Sequence, residues 1–224
     1  MRATSIKQKT KAFSLLELFV VLATLAVLVA LVLPRLAGST KSPVIMCINN
    51  LRQVGLGFIV FATDHTNQLP MQTSVTNGGS MEYVGSGTPA TYFQTVSNYL
   101  GGYWGVLLCP SDKTKQQATK GAAPSDRNIS YFISVDATPV LTNAILAGDR
   151  NLEVAGQPVA PGLFILTTNA AVGWTREMHK IQRNGVWVGC GNLLFVDGHV
   201  QRFQADLPTA IQRQGLATNR LAVP

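Results

Sequence analysis

One carboxylate, Glu17, stands at the head of an apolar run, residues 18–33, in a chain of 224 residues. An ionised side chain costs about 2.5–3.5 kcal/mol at the centre of a membrane helix and less toward the interface, so an acid in that position marks a function and calls for a partner. The other groups with chemical reach are Asp149, His179, Asp197 and His199, the residue types that hold a cation or move a proton. Their spacing imposes neither role. Two histidines one helical turn apart around a Glu, or a Gly-x-Ser-x-Gly elbow, would fix ligands or a nucleophile locally, and neither pattern occurs. Asp149-Arg150-Asn151 is the best fragment for an oxygen-rich calcium loop, and the Arg150 charge opposes it. The expectation is therefore a non-enzymatic chain with no catalytic residues, no metal site and no cofactor.

The elements that position Glu17 come next. Arg2, Lys7, Lys9 and Lys11 precede it without an acid, which holds the N-terminus in the cytoplasm and sends the rest of the chain outward. Removing those four charges leaves +3 of the formal +7, too little to argue a nucleic-acid surface. The apolar run is short for a bilayer unless residues 13–16 and Leu36 are counted, and counting them draws Glu17 inside. It contains no Gly, so it lacks a small-xxx-small dimer face.

Ala12-Phe13 followed by Glu17 resembles the processing site of type IV pilins and type II secretion pseudopilins, in which a dedicated peptidase cuts ahead of the apolar segment and methylates the new N-terminus. The resemblance places the cut between Ala12 and Phe13, makes Phe13 the methylated residue, assigns Glu17 to docking of an incoming subunit, and sets Pro34 where pilins carry a helix-kinking proline. Ala12 departs from the Gly usual in the family. The chemistry stands independently: the amine of a new N-terminal Phe13 is a cation one helical turn from Glu17, and it reaches the Glu17 of a neighbour when helices stack with an offset. Opposite charges in apolar surroundings relieve a cost that neither bears well alone. A plain signal anchor and a cleaved secretory signal are the alternatives.

Gly38, Ser39, Thr40 and Pro43 predict a break, after which Val44, Ile48, Leu51, Gly55, Phe58 and Ala62 draw one apolar helix stripe. Three regions follow: a leader at 1–12, an N-terminal helix at 13–64 with a transmembrane segment at about 13–36, and an exported β-rich domain at 65–224, large enough to bury its own core. Residues 65–89 read as a polar surface loop and 92–100 as a short helix or turn. Residues 129–135, 144–148 and 163–167 read as strands of a mainly antiparallel sheet. The tail from Asp206 reads as weakly packed and expendable. The fold class is α+β, and the resemblance makes it pilin-like.

Asp197-Gly198 between β-prone runs predicts a two-residue hairpin turn with positive φ at both positions. The segment around it also resembles a C-terminal domain of prepilin-like proteins named for a His, nine intervening residues, then Asp-Gly. Trp187 stands at that upstream position here, and the nearest earlier histidine is His179. Cys47, Cys109 and Cys190 follow the apolar run, where an oxidising compartment is expected, and one must be left over. Cys47 with Cys109 is the favoured disulfide because the helix bearing Cys47 should pack on the domain; spacing does not fix connectivity, and buried free thiols remain the alternative.

The resemblance implies a structural subunit of a type II secretion pseudopilus or type IV pilus-like filament. Its implied partners are the prepilin peptidase, other pilin-like subunits and the assembly machinery. Its implied location is the inner membrane, crossed once, with the N-terminus cytoplasmic and the C-terminal domain extracytoplasmic. The alternative is a membrane-tethered extracytoplasmic ligand-binding protein.

Overall fold

The computed structural model describes residues 14–36, 42–204 and 206–224, with the backbone alone for 32–36. Ala12 and Phe13 lie outside the described residues. Two compact units, Met1–Lys41 and Ser42–Pro224, are each described by themselves.

The first unit carries helix α1 (Leu15–Leu36). Leu and Ala favour the helix, and nothing in its first sixteen residues breaks it. Pro34 falls in its last turn, and the helix ends two residues later. Every side chain from 14 to 31 is exposed. At 1.5 Å per residue α1 is about 33 Å long, against about 30 Å of bilayer hydrocarbon.

The second unit begins with α2 (Pro43–Asp64), whose Pro43 takes a first-turn position where no intrahelical N–H is needed. Among the described residues α2 is the one helix long and apolar enough to cross a membrane, and the fully described apolar stretch of α1 is Leu15–Leu31. The apolar stripe of α2 is nevertheless spent inside this unit: Cys47, Leu51, Val54, Phe58, Phe61 and Ala62 are buried. Gly55 permits the close approach, since a Cβ there would sit 2.7 Å from Leu194 Cδ1.

Beneath α2 lies a sheet in the order β5 (Gly162–Thr167), β10 (Thr218–Val223), β1 (Tyr131–Ser134), β2 (Ile145–Asp149), β8 (Val186–Phe195), β7 (His179–Arg183), with β9 (Val200–Phe203) also paired to β8. All of these pairings are antiparallel. A small second sheet joins β3 (Leu152–Val154), β4 (Gln157–Pro158) and β6 (Val172–Trp174). One core fills the α2 face of the main sheet with Tyr92, Phe93, Tyr131, Ile133 and Leu194, drawing in α3 (Pro89–Thr95). The other collects Phe132, Ile145, Leu193, Phe195 and Leu221 with Leu207 and Ile211 of α4 (Leu207–Arg213).

Three expectations are corrected here. The tail is not expendable: its β10 lies between β5 and β1, and Leu221, Ala222 and Val223 are buried. Short runs such as Leu221-Ala222-Val223 carry too little periodicity to reveal a strand until a sheet receives them. Residues 65–89 are not a plain surface loop, because they turn through three 3-10 segments and bury Leu69, Met71, Thr73 and Ser80. The connection from β8 to β9 is four residues long, with positive φ at Gly198 and not at Asp197. Backbone bonds close it, from Gly198 N–H to the Phe195 carbonyl at 2.9 Å and from Phe195 N–H to the His199 carbonyl at 3.0 Å, and the Asp197 carboxylate also accepts the His199 N–H at 3.0 Å.

Candidate functional site

Residues opposite one another on antiparallel strands share a face, and three such pairs bring polar groups together under α2. Tyr131 pairs with Asp149, Asn192 with Arg202, and His179 with Cys190. Asp149, His179, Cys190 and Asn192 are buried, and Arg202 is half-buried. Cys47 and Cys109 form a disulfide with their Cα atoms 5.0 Å apart, bringing α2 and the loop at Cys109 to the same place. His179 Nε2 lies 3.3 Å from Cys109 Sγ and 3.4 Å from Asp149 Oδ2.

The loop carrying Cys109 is held from several directions. Asn50 of α2 donates to the Leu108 carbonyl at 2.9 Å. Three residues after Cys109, Asp112 receives Arg150 in a two-pronged contact, Nε at 2.7 Å and Nη2 at 2.9 Å, and Arg150 also reaches Glu177 at 2.8 Å. Burial pushes the Asp112 carboxyl up, and hydrogen bonds from Arg150 and Thr114 more than reverse it, leaving it below its ordinary value. Arg150 thus occupies the acids beside the Asp149-Arg150-Asn151 fragment, and Asn151 turns its amide to the Thr175 and Cys190 carbonyls. That fragment does not form an oxygen cage.

Burial sets the charge states. Asp149 is completely enclosed, which pushes its pKa up to about 7 against the pull of two Asn192 donors, the backbone N–H at 2.7 Å and the amide at 2.8 Å. His179 is pushed down to about 4, by burial first and by the Arg202 charge second. The pair is therefore a neutral imidazole beside a carboxyl group that holds its proton below about neutral pH, rather than an ion pair. Asp149 Oδ1, Tyr131 Oη and Asn192 Oδ1 have no hydrogen-bond partner among the described residues, so the enclosed cluster has unused donor and acceptor capacity. Arg202 Nη2 donates to the Cys190 sulfur at 2.9 Å, and Cys190 is a free thiol.

The four titratable candidates fall into two separate pairs. Asp149 and His179 are buried here, while Asp197 and His199 sit at the exposed β8–β9 turn with His199 Nδ1 2.5 Å from Asp197 Oδ1 and its ring stacked on Phe195. The turn pair is a local lock, closed by the β8–β9 connection itself. Spacing in sequence did not reveal the buried pair, because β7 and β2 reach it only through β8. A detectable signal was the unusual set of polar residues within otherwise buried strands, Asp149 closing β2 and Asn192 inside β8.

At the other end of the chain Glu17 has a partner. Ser14 N–H donates to Glu17 Oε2 at 3.0 Å, and Glu17 N–H donates to Ser14 Oγ at 3.2 Å. This reciprocal pair is a capping box, legible in sequence as Ser-x-x-Glu ahead of an apolar run. It places the acid at the positive end of the helix, where a carboxylate is stabilised. A shallow groove of about 620 Å³ borders the small sheet, between Glu153, Arg176, Arg183 and a half-exposed Trp187. Lys180 Nζ lies 5.3 Å above that Trp187 ring.

Compared with known proteins, the chain matches no protein-family model, no curated protein and no solved structure.

Proposed function

We propose that this chain is a pilin-like structural subunit, made as a precursor, cut between Ala12 and Phe13, methylated at Phe13, and assembled through α1 into a pseudopilus or pilus-like filament. The observation that carries the reading is α1 itself: a helix of apolar, outward-facing side chains whose first turn holds a single acid in a capping box. Such a helix has no interior of its own to fill, so a bilayer or a bundle of like helices is its natural environment. In this reading α1 is the segment that crosses the inner membrane, the basic leader stays cytoplasmic, and Ser42–Pro224 lies outside. The cap engages one Glu17 oxygen, which leaves the other to receive the amine of a neighbouring subunit. The prepilin peptidase, other pilin-like subunits and the assembly machinery are the partners, and the protein acts without catalysis.

Two measurements test it. The mass and N-terminal sequence of the protein extracted from its native membranes should give a chain beginning at methylated Phe13; an intact Met1 points to a plain anchor, and a cut beyond the apolar run overturns the reading. Glu17→Val should leave insertion of the precursor unchanged and keep the subunit out of filaments, and normal incorporation would remove the docking role. The groove beside Trp187, with a cation over an aromatic face, favours as a second reading a tethered ligand-binding protein. Under that reading Trp187→Ala would abolish function with assembly intact.

A further inference from the structure

The buried cluster has a use beyond a disulfide staple. Cys47 Sγ, Cys109 Sγ and His179 Nε2 lie within 4.8 Å of one another, each delivered by a different part of the fold: α2, the loop at Cys109, and β7. Joined to each other, the two sulfurs are neutral and hold no cation. Reduced and ionised, they are soft thiolates beside an imidazole, the donor set that selects a thiophilic divalent ion.

We propose that reduction of the Cys47–Cys109 bond converts this cluster into a binding site for a divalent cation of the zinc class, held by Cys47, Cys109, His179 and Asp149.

The spacing already present is close to what such an ion requires. With metal–sulfur bonds of about 2.3 Å and metal–nitrogen and metal–oxygen bonds of about 2.0–2.2 Å, the edges of a tetrahedron are about 3.5 Å from nitrogen to sulfur and about 3.4 Å from nitrogen to oxygen. The observed separations are 3.3 Å from His179 Nε2 to Cys109 Sγ and 3.4 Å to Asp149 Oδ2. The sulfur–sulfur edge must open from a covalent bond to about 3.8 Å, and the Asp149 carboxylate must move in from outside the 4.8 Å group to close its edges to sulfur. Asp149 stands outside the three-donor group and is the carboxylate next to it. It is wholly buried; Oδ2, the oxygen 3.4 Å from His179, accepts from Asn192, and Oδ1 has no partner among the described residues. Two thiolates, one carboxylate and a dication sum to a single negative charge, and Arg202, whose guanidinium reaches the Cys190 sulfur beside the cluster, supplies the balancing positive one.

The chemistry balances with an external dithiol as reductant. The dithiol gives two electrons and two protons, the Cys47–Cys109 bond breaks to two thiols, and the dithiol closes to its own disulfide. Metal entry then displaces the two thiol protons, and the Asp149 proton if it is held, to solvent, while His179 offers the Nε2 lone pair without losing a proton. In either redox state α2 stays tied to the loop at Cys109, by a covalent bond or through the metal.

The test uses the full chain in detergent, reduced with a phosphine and titrated with Co²⁺ alone. One equivalent should give the intense visible absorption of tetrahedral cobalt together with thiolate-to-metal charge transfer, and Zn²⁺ should displace it. The oxidised chain should give neither band. His179→Gln, shown to fold in its oxidised form, should weaken Co²⁺ binding at least tenfold after reduction, and Asp149→Asn should shift the visible band. Cys190→Ser should leave the spectrum unchanged. If the reduced chain loses its structure, recovery of the far-ultraviolet signal with Co²⁺ supports the site. A reduced chain without tetrahedral absorption overturns the proposal, as does a His179→Gln chain that binds as tightly as the parent, or a signal that depends on Cys190 in place of Cys47 and Cys109.

Discussion

The two units treat their carboxylates in opposite ways. Glu17 sits on an exposed helix and is satisfied by its own first turn, through bonds to Ser14 three residues away. Asp149 is sealed in a core, and one of its two oxygens is held by Asn192, 43 residues away in sequence. The first arrangement is local and open, so it forms with the helix and can exchange partners without disturbing anything else. The second exists only when the whole sheet exists, and its partners cannot leave. An acid meant for changing company belongs on a capped helix end, and an acid meant to specify one packing belongs inside.

That contrast yields expected outcomes of decreasing size. Removing residues 218–224 takes β10 out from between β5 and β1 and should abolish the cooperative unfolding transition of Ser42–Pro224, while α1 retains its helical signal in detergent. A surviving sharp transition would mean that the sealed unit does not depend on its whole sheet. The Cys47→Ser, Cys109→Ser double variant opens a cross-link spanning 62 residues and should lower stability by about 4 kcal/mol, read from the denaturant midpoint.

The buried pair should show itself through pH. Asp149 is raised from 3.8 to about 7 in the folded chain, so its contribution to stability is full at low pH and is lost as pH climbs through that interval. His179 is lowered from 6.5 to about 4, so its contribution is full above 6.5 and is lost as pH falls toward 4. Between those limits folding takes a proton from an imidazole and places one on a carboxyl group, and the two slopes oppose each other. His179→Gln should uncover the Asp149 slope, with stability falling as pH rises by up to about 1.4 kcal/mol per unit, and Asp149→Asn should uncover the opposite slope. Denaturant midpoints taken at half-unit steps check both, and flat profiles in both variants would break the pairing.

The smallest effect belongs to the open unit. Ser14→Ala removes one half of the capping box and should weaken the first turn of α1 by about 1 kcal/mol, seen as faster amide exchange near Leu15–Leu18 in micelles. The unfolding midpoint of Ser42–Pro224 should not move.

What the sequence disclosed divides along the same line. Local features were legible: the apolar run of α1, the stripe of α2 at Leu51, Phe58 and Ala62, and the strands near 131, 145 and 163, because each depends on periodicity within a few residues. The buried polar cluster, assembled at long range, was not. His179 meets Asp149 only after β7 and β2 have both paired with β8, so nothing in either neighbourhood announces the meeting. The turn at Asp197 was legible as a turn, and its length was not, because Gly198 alone takes a positive φ and the backbone closes from Phe195 onto Gly198 and His199. The Ser14–Glu17 box is the exception: a local signal, available in the letters, that the weight of the apolar run obscured.

The position of β10 bears on when this protein folds. A chain leaves the ribosome from its N-terminus, and the strand that must sit between β5 and β1 is made after every other strand of its sheet. The Ser134–Asn219 hydrogen bond joins residues 85 apart, so β1 waits for most of the domain to be synthesised before its neighbour exists. Until then β1 and β5 present unpaired edges, and the second unit has no complete sheet to fall back on. The main sheet therefore stays open until β10 has been made. The strand Thr218–Val223 acts as the clasp that shuts it.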